Sequence, residues 1–299
     1  MNPRLGLKQI EYFRAVIEAG TVSAAAELLN VSQPNVSRML KYLEQRLGFA
    51  LFDRHRGRLQ PTPEARELFK EVHSLHLHLE SLQDAVRRIA AGETGMLRIG
   101  CSPSLGRFVI PRLVATLRRE MPRLPLRLDI LSVAQVVDYL VFGEGDCACT
   151  IFTIAHPLIV TEEYARGSLV CVVPKGHRLA ARTGALGPRD LAGEALIGFP
   201  DNTPHGRIVQ EFFGSAGAQP KLAASVRFAE TACALAEQGN GIALVDEFTI
   251  SGEVFPALAA VPLRFRKPFR IYFHRLAAQP LSRPGVRFRE LLRDWQPPE

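Results

Sequence analysis

No stretch of this 299-residue chain reaches the roughly 18 successive apolar residues that a membrane-crossing helix needs, although 47% of its residues are hydrophobic. That combination excludes a helical membrane span and predicts a chain with ordinary buried cores. The first eight residues, Met1-Asn2-Pro3-Arg4-Leu5-Gly6-Leu7-Lys8, hold no continuous apolar segment of secretory type, so a cytoplasmic protein is expected, with no membrane partner. Cysteine is scarce and odd in number. Cys101, Cys147, Cys149, Cys171 and Cys233 sit in apolar runs, not in a framework of paired spacings, which points to buried thiols under reducing conditions. Catalytic signatures are missing too: there is no P-loop, no Gly-x-Ser-x-Gly elbow and no His-Glu-x-x-His pair. Gly239-Asn240-Gly241 runs on into Ile242-Ala243-Leu244 without completing a dinucleotide-binding fingerprint. Neither an enzyme nor a cofactor is expected.

Acidic residues are the minority charge. The chain carries 37 Lys and Arg against 30 Asp and Glu, a net of +7, and residues 1–62 hold nine of the bases but only five of the acids. Over half of the excess therefore lies in about a fifth of the chain, which suits a polyanionic partner bound by the N-terminal segment.

In that segment Leu7, Ile10, Phe13 and Ile17 recur at helical spacing ahead of Gly20, predicting a first helix over Leu7–Ala19. Ser23 is placed to cap a short second helix, 24–29, whose Ala24, Ala25 and Ala26 let another helix cross closely. After a turn at Asn30-Val31, Ser32 caps a third helix with Pro34 in its first turn, where a missing N–H costs nothing. Val36, Leu40, Leu43 and Leu47 form its apolar stripe and Gly48 ends it. Its start and outer face then carry Ser32, Gln33, Pro34, Asn35, Ser37, Arg38 and Lys41. Amide and guanidinium groups there can meet base edges in the major groove of double-stranded DNA, and a helix N-terminus can receive a phosphate. Residues 51–54 and 58–62 read as strands flanking His55-Arg56-Gly57, a hairpin wing whose Arg54, Arg56 and Arg58 can reach backbone phosphates. A winged helix-turn-helix over 1–62 is expected.

Leu7-Lys8-Gln9-Ile10-Glu11-Tyr12-Phe13, Ser23-Ala24-Ala25-Ala26-Glu27-Leu28-Leu29, Val31-Ser32-Gln33-Pro34-Asn35-Val36-Ser37, Leu43-Glu44, Leu47-Gly48 and Leu51-Phe52-Asp53-Arg54 together resemble the N-terminal signature of LysR-type transcriptional regulators. The resemblance implies a DNA-binding homodimer, usually a homotetramer in the cell. Such a protein activates or represses a nearby promoter, with RNA polymerase as a candidate partner, when a small inducer binds the C-terminal domain. Pro61-Thr62-Pro63-Glu64-Ala65-Arg66 departs slightly from the family, where many relatives have Gly after the Ala. Arg56-Gly57-Arg58-Leu59 and Glu230-Thr231-Ala232 ahead of Gly239-Asn240-Gly241-Ile242-Ala243 look closest to the branch that senses lysine-pathway amino acids and opines.

Thr62, Pro63 and Glu64 suit the cap and first turn of a long helix over 63–92. Leu68, Val72, Leu75, Leu79, Leu82, Val86 and Ile89 alternate spacings of four and three along it, a heptad seam that predicts pairing of two copies as a coiled coil. The alternative is one amphipathic helix lying on its own domain. His73, His76 and His78 fall off the seam and read as solvated, so no metal site is expected. Ala90-Ala91-Gly92-Glu93-Thr94-Gly95 reads as a hinge.

From Met96 short apolar strands alternate with helical segments, the pattern of an α/β fold with mostly parallel sheet. The family resemblance implies two lobes shaped like periplasmic solute-binding proteins: lobe I over about 96–162 and 267–299, lobe II over about 163–266. Strand-to-helix junctions expose backbone N–H groups that suit anions. The candidate inducer contacts are accordingly Ser102, Pro103 and Ser104, then Asn202 and Thr203, then Glu230 and Thr231. They favour a small carboxylate or amino acid, jointly held by Ser102 and Thr203, with Glu230, Asp246 or Asp201 available to an ammonium group. Rival readings are an architectural DNA binder without inducer, a solute-binding protein, and a redox regulator switching through Cys101, Cys147 or Cys149, as peroxide-sensing relatives do.

Overall fold

In the computed structural model the described residues are 5–55, 58–90, 95–217, 220–265 and 267–296. They form two compact units, Met1–Gly92 and Glu93–Glu299.

The first unit begins with helix α1 (Leu7–Ala19), α2 (Val22–Leu28) and α3 (Gln33–Leu47). Glycines in the left-handed region stop two of them: Gly20 at φ +69° after α1 and Gly48 at φ +82° after α3. The cap of α2 differs from expectation. Thr21, not Ser23, accepts a hydrogen bond from the Ala24 amide (3.2 Å), so the helix starts two residues earlier and ends at Leu28. Ala25 and Ala26 are buried against Tyr12, Val16, Val36 and Leu40, the close crossing that small residues allow. Strands β1 (Phe52–His55) and β2 (Arg58–Pro61) pair antiparallel as the expected wing. The Glu44 carboxylate accepts from the amides of Leu51 (2.8 Å) and Phe52 (3.3 Å), fastening the wing to α3.

Thr62 opens helix α4 (Pro63–Ala90), its hydroxyl accepting from the Ala65 amide and donating to the Ala50 carbonyl. The heptad seam is divided in use. Val72, 4% exposed, belongs to the domain's own core with Phe13, Leu43, Leu51 and Ala65, and Leu68 packs against the same group. Leu75 and Leu79 are half-buried, facing a groove shared with Leu7, Ile10 and Leu28. Leu82 and Val86 are 60% and 59% exposed. The side chains of His78 and Ile89 lie outside the described residues, as does the 91–94 part of the hinge.

The second unit carries two five-stranded sheets. The first has the order β4-β3-β5-β12-β6, built from β3 (Leu97–Cys101), β4 (Leu126–Ile130), β5 (Cys147–Thr150), β6 (Ile159–Gly167) and β12 (Phe269–Leu276). The second has the order β11-β7-β10-β8-β9, from β7 (Leu169–Pro174), β8 (Ala195–Gly198), β9 (Lys221–Ser225), β10 (Ile242–Asp246) and β11 (Leu258–Pro262). Both sheets are mixed, which corrects the mostly parallel expectation. β3 runs parallel to β4 and β5, and β8 to β9 and β10, while β12 and β7 each pair antiparallel with both neighbours. The chain passes from the first sheet to the second at Ser168 and returns between β11 and β12. The crossing falls a few residues beyond the boundary drawn near 162, because β6 continues the first sheet as far as Gly167.

Helices α5 (Pro103–Gly106), α6 (Val109–Glu120), α7 (Val133–Val141) and α11 (Arg283–Arg293) accompany the first sheet, and α8 (Pro204–Gly214), α9 (Ala229–Glu237) and α10 (Glu247–Ile250) the second. The central strands β5 and β10 are buried at every residue, including the polar Thr150 and Asp246 that end their apolar runs. Gly252, at φ +73°, lets the ring of Phe108 lie against its backbone; a Cβ there would stand 2.0 Å from Phe108 Cδ2. That contact joins the start of α6 in one lobe to the segment after α10 in the other.

Candidate functional site

On α3, Val36, Leu40 and Leu43 are buried, which turns Gln33, Pro34, Asn35, Arg38 and Lys41 outward, with Ser32 exposed at the cap and Ser37 half-buried. The apolar stripe at spacings of four and three thus fixes which polar groups can meet DNA. Asn35 Nδ2 donates to Tyr12 Oη at 3.4 Å, which restrains it against α1. Arg56 and the side chains of Arg54 and Arg58 lie outside the described residues.

In the second unit a cavity of ≈500 Å³ opens between the two sheets. Its walls include Ser102, Pro103, Ser104, Ile151 and Phe152 from the first lobe and Pro200, Asn202, Arg227 and Phe228 from the second. Three helices of nine or more residues begin on it: α7 at Ser132-Val133-Ala134, α8 at Thr203-Pro204-His205, and α9 at Phe228-Ala229-Glu230. A helix N-terminus carries a partial positive charge, so three such charges converge on one space, although at α8 Pro204 has no N–H and the Gly206 amide is already bonded to Thr203.

The expected inducer contacts separate by what their atoms are already doing. Ser102 is 5% exposed and its hydroxyl has no hydrogen-bond partner. The Thr203 hydroxyl is spent, donating to the Pro200 carbonyl (2.7 Å) and accepting from the Gly206 amide (3.1 Å), so it has no proton left for an anion. Pro103, Ser104, Asn202 and Glu230 all border the cavity, but Thr231 is exposed outside it. Of the three acids considered for an ammonium partner, only Glu230 is on the wall. Asp201 is exposed outside it.

Asp246 is fully buried and saturated. It accepts from Ser104 Oγ (2.9 Å), Thr249 Oγ1 (2.8 Å) and the Thr249 amide (3.0 Å), and pairs with His205 Nε2 at 3.1 Å. Because Ser104 belongs to the first lobe and Asp246 to the second, the network ties the lobes together at the cavity wall, which Ser104 and His205 help to line. His205 is held in a cage of Phe152, Phe199 and Phe269, with ring centroids 4.9 to 5.5 Å away. Sequence reading placed His205 at a junction beside the cleft but gave it no role, and it missed Ser132, Phe152 and Arg227. His205 follows a helix-opening Pro in a Thr-Pro-His run, the one local signal that could have drawn attention to it.

Cys101, Cys147 and Cys149 are buried side by side on β3 and β5, with Cys101 and Cys149 in register. Burial pushes the Cys101 thiol up to about 12, helped by the charges of Glu230 and Asp129, and raises Cys147 and Cys149 as well. The reactive thiolate is suppressed at all three, which does not favour a redox switch.

Residues 7–66 match the bacterial regulatory helix-turn-helix domain of the lysR family, and residues 90–297 match the LysR substrate binding domain. The chain belongs to the LysR family of transcriptional regulators. This LysR-family regulator is 30% identical over 283 residues to the transcriptional activator LysR of Escherichia coli, covering 94% of this chain and 89% of that protein. It is 31% identical over 242 residues to OccR, the octopine catabolism/uptake operon regulatory protein of Rhizobium meliloti, covering 81% of this chain and 80% of that protein. Full-length CbnR, solved with its target DNA, shares the fold at a TM-score of 0.68 and 24% identity, over 97% of this chain and 99% of that one. The LysR-family regulator is thus a DNA-binding protein and not an enzyme. Among the described residues, no helix is long and apolar enough to cross a membrane.

Proposed function

We propose that this regulator reads its promoter through the outer face of α3 and the β1–β2 wing, and that a small carboxylate or amino acid in the sensor cleft sets its activity. One observation carries the inducer class: three helix N-termini open on a single cavity whose wall includes the unpaired hydroxyl of Ser102. Free amides and a free hydroxyl in a partly apolar space bind a carboxylate well, because each charge-assisted hydrogen bond there displaces little competing water. OccR is named for octopine, an amine that carries carboxylates, and the same chemical class is proposed here. Two copies would pair through α4, where Leu82 and Val86 stand exposed, and dimers would associate further into tetramers that act with RNA polymerase at the promoter.

The test is calorimetric titration of the full-length protein with the twenty standard L-amino acids and with C3 to C6 aliphatic and aromatic carboxylates. Ser102→Ala should weaken the probe that binds wild type by roughly ten- to a hundredfold, since a hydrogen bond to a charged group contributes about 1.5–3 kcal/mol. Wild-type affinity in Ser102→Ala, or no binding by any probe, would overturn the assignment.

A further inference from the structure

Glu230 is the only acid among the described residues that line the cavity. Both of its carboxylate oxygens are sealed from solvent, and neither has a hydrogen-bond partner in any other residue. A buried, unpaired carboxylate is costly, so such a group in a native fold calls for a partner that is not always present. Its position in the first turn of α9 complements the helix dipole, but an exposed acid would serve that purpose equally well. The neighbouring cations are otherwise engaged. His205 pairs with Asp246, Arg107 lies over the ring of Phe255 at 4.6 Å, and Arg227 lies over Phe228 at 5.9 Å.

Building on the reading of this cleft as the inducer site, we infer that the inducer carries a cationic amine as well as a carboxylate, with Glu230 as the receptor for the ammonium. The carboxylate pole goes to the Ser102 hydroxyl and the helix amides. The ammonium pole goes to Glu230, which reaches the cavity by a change of side-chain rotamer. A ligand with a carboxylate alone would bring a second negative charge towards Glu230 and Asp246, whereas an ammonium supplies the missing opposite charge. Burial already pushes the Glu230 pKa above the usual carboxylate range; Asp246 adds to the rise, and its own backbone N–H, His205 and Arg107 pull the other way. An ammonium at hydrogen-bond distance acts against that rise and holds the carboxylate ionised.

The experiment compares each amino acid that binds wild type with the carboxylate that lacks only its amine, by calorimetry on the full-length protein and on Glu230→Gln and Glu230→Asp. Wild type should prefer the amine-bearing member at least tenfold. Glu230→Gln, which keeps the shape and removes the charge, should lose that preference, while Glu230→Asp keeps part of it. Melting temperatures without probe establish that both variants fold. Equal binding of the two members by wild type, or an undiminished preference in Glu230→Gln, overturns the inference and leaves the carboxylate reading standing. If neither class binds, both fall together.

Discussion

Arg38 and Lys41 stand a turn apart on the exposed face of α3, where a guanidinium can donate two parallel hydrogen bonds to guanine O6 and N7. Arg38→Ala is therefore expected to lower affinity for an operator selected from random DNA by about 1–3 kcal/mol per half-site, and to leave affinity for unrelated DNA nearly unchanged. Gel-shift titrations on both DNAs check this; equal losses on both would make Arg38 a phosphate contact. Residues of this kind were legible in the sequence, because an apolar stripe at helical spacing dictates which side chains face outward. Those lining the cleft were legible only in part. Ser102 and Glu230 could be placed at strand-to-helix junctions, but their lack of partners, and the saturation of Asp246 and Thr203, depend on atoms brought together from up to 142 positions apart. His274 was invisible in the same way. It is buried between the hydroxyls of Thr150 and Thr161, and desolvation lowers its pKa to about 4, so it is a neutral structural link between β5, β6 and β12.

At the scale of elements, α4 shows why a correct period does not by itself define an interface. Its apolar positions continue at coiled-coil spacing from Leu68, yet Leu68 and Val72 are absorbed by Phe13, Leu43 and Leu51 of the same chain. Among the described side chains of the seam, the distal Leu82 and Val86 are the exposed ones, open to a second copy. Charge is accordingly expected to break the dimer at the outer end of the seam and not at Leu75 or Leu79, which are half-buried against their own unit. Leu82→Lys should dissociate the dimer in sedimentation experiments without changing the unfolding of the N-terminal unit, whereas Val72→Lys should destabilise that unit itself by burying a charge in its core. An unchanged dimer in Leu82→Lys would rule out pairing through this stretch. Elements with weak patterns escaped the sequence reading. β6 holds Thr161, Glu162 and Glu163 in a half-buried strand, and β11 and α10 are only five and four residues long. No hydrophobic alternation marks them, and their place is set by the neighbours they pair with.

The whole molecule joins two kinds of chemistry in one chain: a basic helix-turn-helix that presents amide and guanidinium groups, and a sensor unit whose lobes meet around unpaired polar atoms. The lobes are tied by Ser104–Asp246 and by Phe108 against Gly252. A ligand that engages both Ser102 and Glu230 would therefore bias how the two sheets sit about that tie. Its effect on DNA binding can be no larger than its difference in affinity for the two states of the protein. The most direct measurement is a nuclease footprint on the selected operator, with and without the tightest-binding amino acid, for wild type and for Ser102→Phe, whose ring intrudes on the cavity. The account predicts that saturating ligand changes the length or bending of the wild-type footprint and leaves that of Ser102→Phe as it was. A wild-type footprint that saturating ligand does not alter would contradict it.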